Sequence, residues 1–466
     1  MSLIALILLV LASALVWAGI LYRWRIGLIA LVVFTPFTGL VVSAFAPSPI
    51  GNLVRDFAIV IPLYVAFLLT RRQSDRMSLP FGFVVIVGVL AVLIVASAAV
   101  GATAGTLVAL LGAKIWLFYI PLVAVTAAFI RDRVDLLHLL RLFVVMGWIP
   151  CTVGLLMWIG AVNLGHKESV EILYGEFARN ATQNFQTFQI GQSKIYRIPG
   201  TFQFAAQYAM FCVFMVFPIL MQLSLEHSHK WRLFGYASLA LVIAATLTSG
   251  SRGMFLHLPF ILGVLGLLRF GFARGGNGLI VFAFVVFGAI LMSQFDESAI
   301  FDHVAELTAA NGQKIALGGL EFAINDGGVW GKGVGSGTVA ARHLINVHEA
   351  YRTGVFMAIE NYYAKAWIEL GMLGFAAIVA LFLYLISFAL NAARTIRDSR
   401  LRDAGLVVGG LVIFMVYVST RGWPLDQDPM AYYFWLMIGV LFKLRAIDGV
   451  PVRQQAPLMR PGEVRA

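Results

Sequence analysis

Long apolar segments separated by short polar stretches dominate the chain. Thirteen of them are long enough to cross, or nearly cross, a hydrocarbon core, which requires roughly 20 residues of helix. The eleventh is longer than a bilayer needs, so we expect its first turns to lie outside the membrane. The pattern predicts an all-α polytopic membrane protein with about 12–13 transmembrane helices, which form a single transmembrane domain over residues 1–444. The segments are 2–21, 26–46, 54–70, 80–100, 106–130, 139–162, 203–224, 233–249, 253–268, 278–294, 358–391, 404–420 and 430–444.

The composition agrees with a membrane protein. Of the 466 residues, 60% are hydrophobic and only 12% are charged, and the mean hydropathy is +0.88. A soluble domain is typically about 45–50% apolar and about 25% charged. An outer-membrane barrel is excluded, because its strands alternate polar and apolar residues over short stretches.

The basic residues are distributed unevenly between alternate loops. One set of loops holds sixteen Lys and Arg residues, whereas the short loops of the other set hold three, Arg55, Arg252 and Arg421. Since basic loops stay in the cytoplasm, this bias predicts an outer N-terminus and an inner C-terminus. It also accounts for the net charge of +11, so we expect no nucleic-acid partner. The sixteen are Arg23, Arg25, Arg71, Arg72, Arg76, Arg131, Arg133, Arg141, Lys230, Arg232, Arg269, Arg274, Arg394, Arg397, Arg400 and Arg402.

Two long connections, 163–202 and 295–357, then fall on the outer side. Long loops in compact proteins are usually functional or disordered. The second lies between the tenth and eleventh helices, and its apolar-patterned stretch 315–324 predicts a helix along the surface. The tail 445–466 is predicted to be cytoplasmic and disordered. Segment 2–21 lacks a basic n-region and a cleavage site, so we interpret it as a retained helix.

Two outer arginines are candidates for anion binding. Arg197 precedes the seventh segment, and Arg252 lies in the tight turn between the eighth and ninth segments. An arginine this close to hydrocarbon is costly unless it is paired or lines a wet cavity. Taken alone, either arginine is equally well explained as an interfacial residue whose side chain reaches the lipid headgroups. Together, beside glycine and hydroxyl residues, they favour a diphosphate site, because guanidinium groups bind phosphate oxygens bidentately.

A carboxylate and an amide mark the start of the eleventh helix. Glu360 and Asn361 lie where the second long connection enters the membrane, and both are candidate catalytic residues. Glu360 either caps the helix, where the dipole favours an anion, or takes a proton from an acceptor hydroxyl. Glu369, further along the helix, either supports that role or pairs across the bundle.

Two polar motifs on the outer side have a less specific spacing. The glycines at 331, 333, 335 and 337 lack the Lys-Ser/Thr of a phosphate loop, so we predict a flexible hinge. Asp426 and Asp428 have the spacing of a metal-binding carboxylate pair. Their Pro-Leu-Asp-Gln-Asp-Pro setting is more typical of a solvated turn, which is the interpretation we favour.

The histidines and cysteines do not predict a metal site. His343 and His348 are five residues apart, a poor spacing for a shared metal on a helix. His257, within the ninth segment, is predicted to be a hydrogen-bonded core histidine. Cys151 and Cys212 fall inside apolar segments and are predicted to be small core residues without a disulfide. We expect no metal and no cofactor.

The order of these motifs resembles the O-antigen ligase and O-antigen polymerase superfamily of bacterial inner-membrane glycosyltransferases. The similarity covers residues 195–374 and is carried by short motifs separated by a large outer loop. The motifs are Arg197-x-x-Gly200, Ser251-Arg252-Gly253, a Gly-x-Gly run, Glu360-Asn361-Tyr362-Tyr363 and Ile368-Glu369-Leu370-Gly371.

The resemblance implies a metal-independent enzyme with a GT-C-like fold in the bacterial inner membrane. It would transfer an undecaprenyl-diphosphate-linked glycan to a glycan or lipid-linked acceptor at the periplasmic face, with Arg197 and Arg252 on the diphosphate. The family's ligases usually carry His-Asn where this chain has Glu360-Asn361. Either Glu360 is the base, or His348 reaches in from the loop, or no strong base is needed. The departure favours a polymerase of exopolysaccharide or O-antigen repeats, for which a chain-length regulator is a further partner.

Two other functions stay open at this point. A transporter or flippase of lipid-linked oligosaccharide would explain the many helices, but no internal repeat of the kind common in transporters is evident. A metal-dependent membrane glycosyltransferase would use Asp426 and Asp428 as ligands.

Overall fold

The protein is a bundle of α-helices with one short β-hairpin. These features hold for the residues that the computed structural model describes, which are 3–44, 53–71, 79–101, 105–181, 188–190, 193–251, 253–272, 319–338 and 361–448.

The helices fall into three groups along the chain. The first group is α1 (Leu3–Tyr22), α2 (Trp24–Phe34), α3 (Thr38–Ala44), α4 (Ile61–Thr70), α5 (Phe81–Gly101), α6 (Thr106–Leu117), α7 (Leu122–Phe129) and α8 (Arg133–Asn163). The second is α9 (His166–Ala181), α10 (Ala205–Leu225), α11 (His229–Thr248) and α12 (Met254–Phe272), with the antiparallel strands β1 (Phe188–Ile190) and β2 (Ser193–Ile195) after α9. The last is α13 (Gly319–Gly327), α14 (Tyr362–Thr395), α15 (Ser399–Val418) and α16 (Met430–Ile447).

Nine helices in the described part of the chain are long and apolar enough to cross a membrane, and three shorter apolar helices accompany them. The protein is therefore an all-α polytopic membrane protein. Twelve of the thirteen predicted apolar segments correspond to described helices, and segment 278–294 lies outside the described residues. The nine spans are Trp24–Ser43, Phe81–Gly101, Thr106–Phe129, Arg133–Asn163, Ala205–Leu225, His229–Thr248, Tyr362–Thr395, Ser399–Val418 and Met430–Ile447.

Side-chain caps set the start of several helices. Helix α8 begins at Arg133, earlier than the predicted residue 139, because the Asp132 carboxylate accepts hydrogen bonds from the backbone N–H groups of Val134 and Asp135. Such a cap satisfies donors that the first helical turn leaves unpaired. The apolar pattern alone does not predict the additional polar residues at the start of this helix.

The centre of the bundle is formed by helices that are mostly buried. In α16, α10 and α15 the apolar stretch is 83%, 78% and 72% buried, whereas in α5 it is 17% buried. A uniformly apolar helix suits either place, since lipid and protein core are both apolar. Small residues allow the inner helices to approach closely. Gly439 of α16, for example, lies directly against the backbone carbonyl of Val123 in α7.

Both long outer connections contain ordered structure. The predicted loop 163–202 holds helix α9 and the β-hairpin. A helix does form within the second connection, at Gly319–Gly327, and Ala323 packs there against Ala364 and Ile368 of α14. Residues 315–318 of the predicted surface helix lie outside the described residues.

The bundle has two chemically different ends. We define the inner end as the one that holds residues 131–133, 226–228 and 396–398, and the outer end as the one that holds 198–204 and 419–429. The loop charges predict that the inner end faces the cytoplasm. At the inner end Arg133 pairs with Asp398 at 2.6 Å and Arg141 pairs with Glu226 at 2.8 Å.

Candidate functional site

The segment that carries Arg197 is packed against the turn that leads to Arg252. The Ile198 N–H donates to the Ser249 carbonyl at 3.0 Å. Gly250 has a φ of +70°, and a Cβ there would overlap the Tyr196 carbonyl oxygen, so only glycine suits this contact. The structure therefore brings Arg197 beside residues 249–251, while Arg252 itself lies outside the described residues.

The rest of this loop, residues 198–204, is fixed by the elements around it. The Thr201 carbonyl accepts a hydrogen bond from the Gly39 N–H at 3.1 Å, and the Thr201 hydroxyl donates to the Pro36 carbonyl. The Tyr174 hydroxyl of α9 lies 2.9 Å from the Gly200 carbonyl oxygen. The loop is thus held from two sides, which fixes its position at the outer end.

Asn361 is the N-cap of α14. Its side-chain oxygen accepts hydrogen bonds from the backbone N–H groups of Tyr363 at 2.9 Å and Ala364 at 3.1 Å, and the residue is buried. The next N–H, that of Tyr362, donates to the Ser419 carbonyl at 2.8 Å. Asn361 therefore occupies the cap position that was one interpretation of Glu360. Glu360 is the residue directly before this cap in the sequence.

Glu360 and His348, the two candidate bases, lie outside the described residues. His343 lies there as well. Their roles stay predictions. The nearest described residue is Asn361, the N-cap that follows Glu360 in the sequence.

Glu369 holds the glycine-rich turn against the bundle. Its buried carboxylate accepts hydrogen bonds from Trp116 Nε1 at 2.6 Å, Thr338 Oγ1 at 2.8 Å and the Gly337 N–H at 3.0 Å. The Ser97 hydroxyl also donates to the Glu369 carbonyl at 2.5 Å. Of the two roles predicted for Glu369, the geometry supports pairing across the bundle.

The prediction of a flexible hinge at the glycines is wrong. Gly333 has a φ of +98° and lies against the backbone of Gly101, with no room for a Cβ. Val334 is fully buried, and its N–H donates to the Ser97 carbonyl at 3.3 Å. The glycines allow two backbones to pack closely, and the segment is a wedge between α5, α6 and α14.

The prediction of a solvated turn at Asp426 and Asp428 is also wrong. Asp426 forms an ion pair with Lys365, which is 1% exposed and whose ammonium lies 4.7 Å from the centroid of the Trp116 ring. Burial raises the pKa of Asp426, and the Lys365 charge offsets part of that increase. Asp428 accepts a hydrogen bond from Arg55 Nη2 at 2.8 Å.

The two aspartates therefore pair with different cations instead of converging on one point. No group of three His, Cys, Asp or Glu side chains that could hold a metal ion occurs among the residues the structure describes. This arrangement gives no support to a metal site built on Asp426 and Asp428.

A second buried charge cluster surrounds Arg55, which the sequence predicted only as one of three basic residues in the short outer loops. Arg55 also lies 4.0 Å from Asp56, and the carboxylate of Asp56 contacts Lys114 and the Tyr432 hydroxyl. The guanidinium carbon lies 3.9 Å from the centroid of the Tyr432 ring. An Arg-Asp pair at the start of an apolar segment was the available signal, since such charges in a membrane protein need partners.

His257 and the two cysteines are buried in the bundle. The His257 ring packs edge-on against Phe414 and Tyr417, and its Nδ1 has no hydrogen-bond partner within the described ranges. The prediction of a hydrogen-bonded histidine is therefore not met at Nδ1. Cys151 and Cys212 are buried free thiols, which confirms the prediction of core residues without a disulfide.

Comparison with known proteins adds one distant relative. No family model matches the chain. Over 270 residues the chain is 22% identical to an uncharacterized protein of Haemophilus influenzae, and the match covers 54% of this chain and 67% of that protein. The superfamily resemblance of the short motifs therefore stays a prediction.

Proposed function

We propose that the protein is a metal-independent glycosyltransferase of the bacterial inner membrane with a GT-C-like arrangement of helices. It transfers or polymerises an undecaprenyl-diphosphate-linked glycan at the periplasmic face. The observation that supports this most is the packing of the Arg197 segment on residues 249–251, because it brings together two distant stretches that each carry an arginine. The resemblance of the motifs to the O-antigen ligase and polymerase superfamily supplies the reaction type.

The proposed chemistry is a substitution at the anomeric carbon of the donor. The acceptor hydroxyl oxygen forms a bond to that carbon, and the bond from the carbon to the diphosphate oxygen breaks. Arg197 and Arg252 stabilise the negative charge that develops on the diphosphate. Glu360 or His348 takes the acceptor proton. Asn361 acts as a positioning residue, since its capping bonds fix the helix start next to Glu360.

The outer end also favours a polymerase or ligase over the metal-dependent alternative. Asp426 and Asp428 are each held by a basic side chain, Lys365 and Arg55, and a shared metal would have to break both ion pairs. A flippase for the same lipid would use similar arginines, so only a chemical assay separates it from a transferase. A bilayer and, for a polymerase, a chain-length regulator are the further partners.

The test uses purified protein in detergent with an undecaprenyl-diphosphate-linked repeat unit and a glycan acceptor. We expect new glycosidic bonds, detected as longer products by mass spectrometry, and the same rate with a chelator present. Arg252→Ala should lower the rate at least tenfold, whereas Arg445→Ala, which removes an inner-end arginine bonded to Thr395, should not.

No reaction at all would contradict the proposal and leave the flippase, whereas donor consumption without any longer product would indicate hydrolysis and would contradict transfer to an acceptor. Activity lost with the chelator and restored by a divalent cation would favour the metal-dependent enzyme. Glu360→Gln and His348→Gln assign the base, since only the variant that removes the base should abolish the rise in rate with pH.

A further inference from the structure

One peptide group at the outer end, the one that joins Arg197 to Ile198, is held from both sides. His166 Nε2 lies 2.8 Å from the Arg197 carbonyl oxygen, and the Ile198 N–H donates to the Ser249 carbonyl at 3.0 Å. A carbonyl oxygen only accepts hydrogen bonds, so the His166 nitrogen carries the proton of this bond. The peptide group is therefore fixed between helix α9 and the turn that follows α11.

His166 is itself well placed to act as a fixed donor. It is the first residue of α9, and the Ser169 hydroxyl of the same helix donates to its carbonyl at 2.9 Å. Its ring packs against the Tyr196 ring, with 5.5 Å between the centroids. Contacts with both the backbone and the ring restrict the orientation of the imidazole. The donor is thus pre-organised towards the Arg197 carbonyl.

The backbone of Arg197 is fixed more completely than a surface loop requires. Besides the two hydrogen bonds, the carbonyl of the preceding residue, Tyr196, lies directly against Gly250. A guanidinium binds phosphate oxygens bidentately only from a restricted set of positions. Fixing the backbone from which the Arg197 side chain extends reduces the ordering that binding must impose, which strengthens binding.

Helix α9 also holds the same loop at a second place, further from Arg197. The Tyr174 hydroxyl lies 2.9 Å from the Gly200 carbonyl oxygen and 2.7 Å from that of Phe202. These contacts fix the loop but do not touch the Arg197 peptide group. Comparison of Tyr174 with His166 therefore separates general packing of the loop from the positioning of Arg197.

We propose that His166 is a positioning residue for diphosphate binding, which acts by donating from Nε2 to the Arg197 carbonyl. The proposal rests on the proposed function for the identity of the anion. His166 acts through Arg197 and exchanges no proton with the substrate. Helix α9, in the first long outer connection, thereby takes part in a site that the sequence motifs assign to other segments.

The test measures binding of farnesyl diphosphate, with farnesol as the uncharged control, to the full-length protein in nanodiscs. His166→Phe keeps a ring against Tyr196 and removes the donor, and His166→Gln restores an N–H donor close to the Nε2 position. Tyr174→Phe is the control for packing of the loop. Lys167→Met is the control for charge, because it removes an exposed cation from the same turn of α9. Melting temperatures show whether each variant is folded, and His166→Leu replaces His166→Phe if the latter is not.

We expect farnesyl diphosphate to bind at least fivefold more weakly to His166→Phe than to the wild type. Binding to His166→Gln, Tyr174→Phe and Lys167→Met should stay within twofold of the wild type, although Tyr174→Phe lowers the melting temperature. Arg197→Ala should weaken binding at least as much as His166→Phe does. In the Arg197→Ala background, His166→Phe should have no further effect, because His166 acts through Arg197.

Three results would overturn the inference and leave the proposed function intact, provided that Arg197→Ala weakens binding. They are unchanged binding in His166→Phe, equal losses in His166→Phe and Tyr174→Phe, and a loss in His166→Phe that persists in the Arg197→Ala background. A wild type that does not bind the diphosphate, or an Arg197→Ala variant that binds it equally well, would contradict the proposed function and the inference together. Binding that depends on His166 in a protein without transferase activity would support the inference and contradict the transferase.

Discussion

The Arg133–Asp398 ion pair at the inner end and the Lys365 and Arg55 ion pairs at the outer end differ in how far their cations are removed from water. At the inner end, the side chains of Arg133 and Asp398 are 23% and 27% exposed. At the outer end, the Lys365 side chain is 1% exposed and that of Arg55 is 4% exposed. An ion pair that stays in contact with water loses little hydration free energy on folding. A buried ion pair must offset a large desolvation free energy.

This difference indicates where the protein keeps charge for a purpose other than orientation in the membrane. A buried ion pair is often no more stabilising than a packed apolar pair, so stability alone is a weak reason to retain one. The Arg133–Asp398 pair lies among the basic loops whose charge bias predicts the topology,. The outer pairs join residues 424–428 to Lys365, one turn after Asn361 in α14, and to Arg55.

The largest predicted effect comes from breaking the buried pair at Lys365. Lys365→Met leaves the Asp426 carboxylate buried without its cation, and the free energy of unfolding should fall by about 3–5 kcal/mol. Arg133→Met at the inner end should cost no more than about 1 kcal/mol, because Asp398 keeps access to water. Denaturant or thermal unfolding in detergent measures both. Equal losses in the two variants would remove the distinction between the ends.

A smaller effect is expected at the contact between the Arg197 segment and residues 249–251. Gly250→Ala places a Cβ against the Tyr196 carbonyl in a left-handed backbone, at a cost of about 1–3 kcal/mol. It should also lower transferase activity by separating the two segments. Gly263→Ala in α12 is the control, because no atom lies within 4 Å of its Cβ position. Full activity in Gly250→Ala would show that this contact does not build the site.

The smallest predicted effect concerns how the free energy of unfolding depends on pH. Asp426 at the outer end and Asp398 at the inner end should change it in opposite directions. Burial raises the pKa of Asp426, and Lys365 only partly offsets this, so its contribution to stability declines as pH rises through the folded pKa. Burial also acts to raise the pKa of Asp398, but hydrogen bonds from Arg133 and from two backbone N–H groups outweigh it and lower the pKa. Its contribution is present above the unfolded value of about 3.9 and is lost as pH falls.

The measurement is the difference in melting temperature between the wild type and each Asn variant. For Asp426→Asn this difference should become less favourable to the wild type as pH rises above about 4. For Asp398→Asn the wild-type advantage should shrink as pH falls below about 4. Slopes of the same sign would contradict the assigned pKa directions.

Local pattern predicted the helices well but not the polar contacts between them. Twelve apolar segments could be placed because hydrocarbon demands continuous apolar helix,. Arg55 and Asp428 are 373 positions apart, so their pairing depends on tertiary packing that no local pattern encodes. The prediction of a flexible hinge at the glycines of 331–337 was wrong for a related reason. Whether such glycines form a hinge or a close packing contact depends on the backbone that lies against them, and Gly333 lies against the backbone of Gly101.

The most direct test of the central claim is a double-mutant cycle on diphosphate binding. Undecaprenyl diphosphate binding to purified wild-type protein, Arg197→Ala, Arg252→Ala and the double variant is measured by native mass spectrometry, with undecaprenol as the uncharged control. If both arginines bind one diphosphate, each single change weakens binding and the two effects are non-additive by about 0.5–3 kcal/mol. Additive effects, or equal affinity for undecaprenol, would contradict a shared anion site at the outer end.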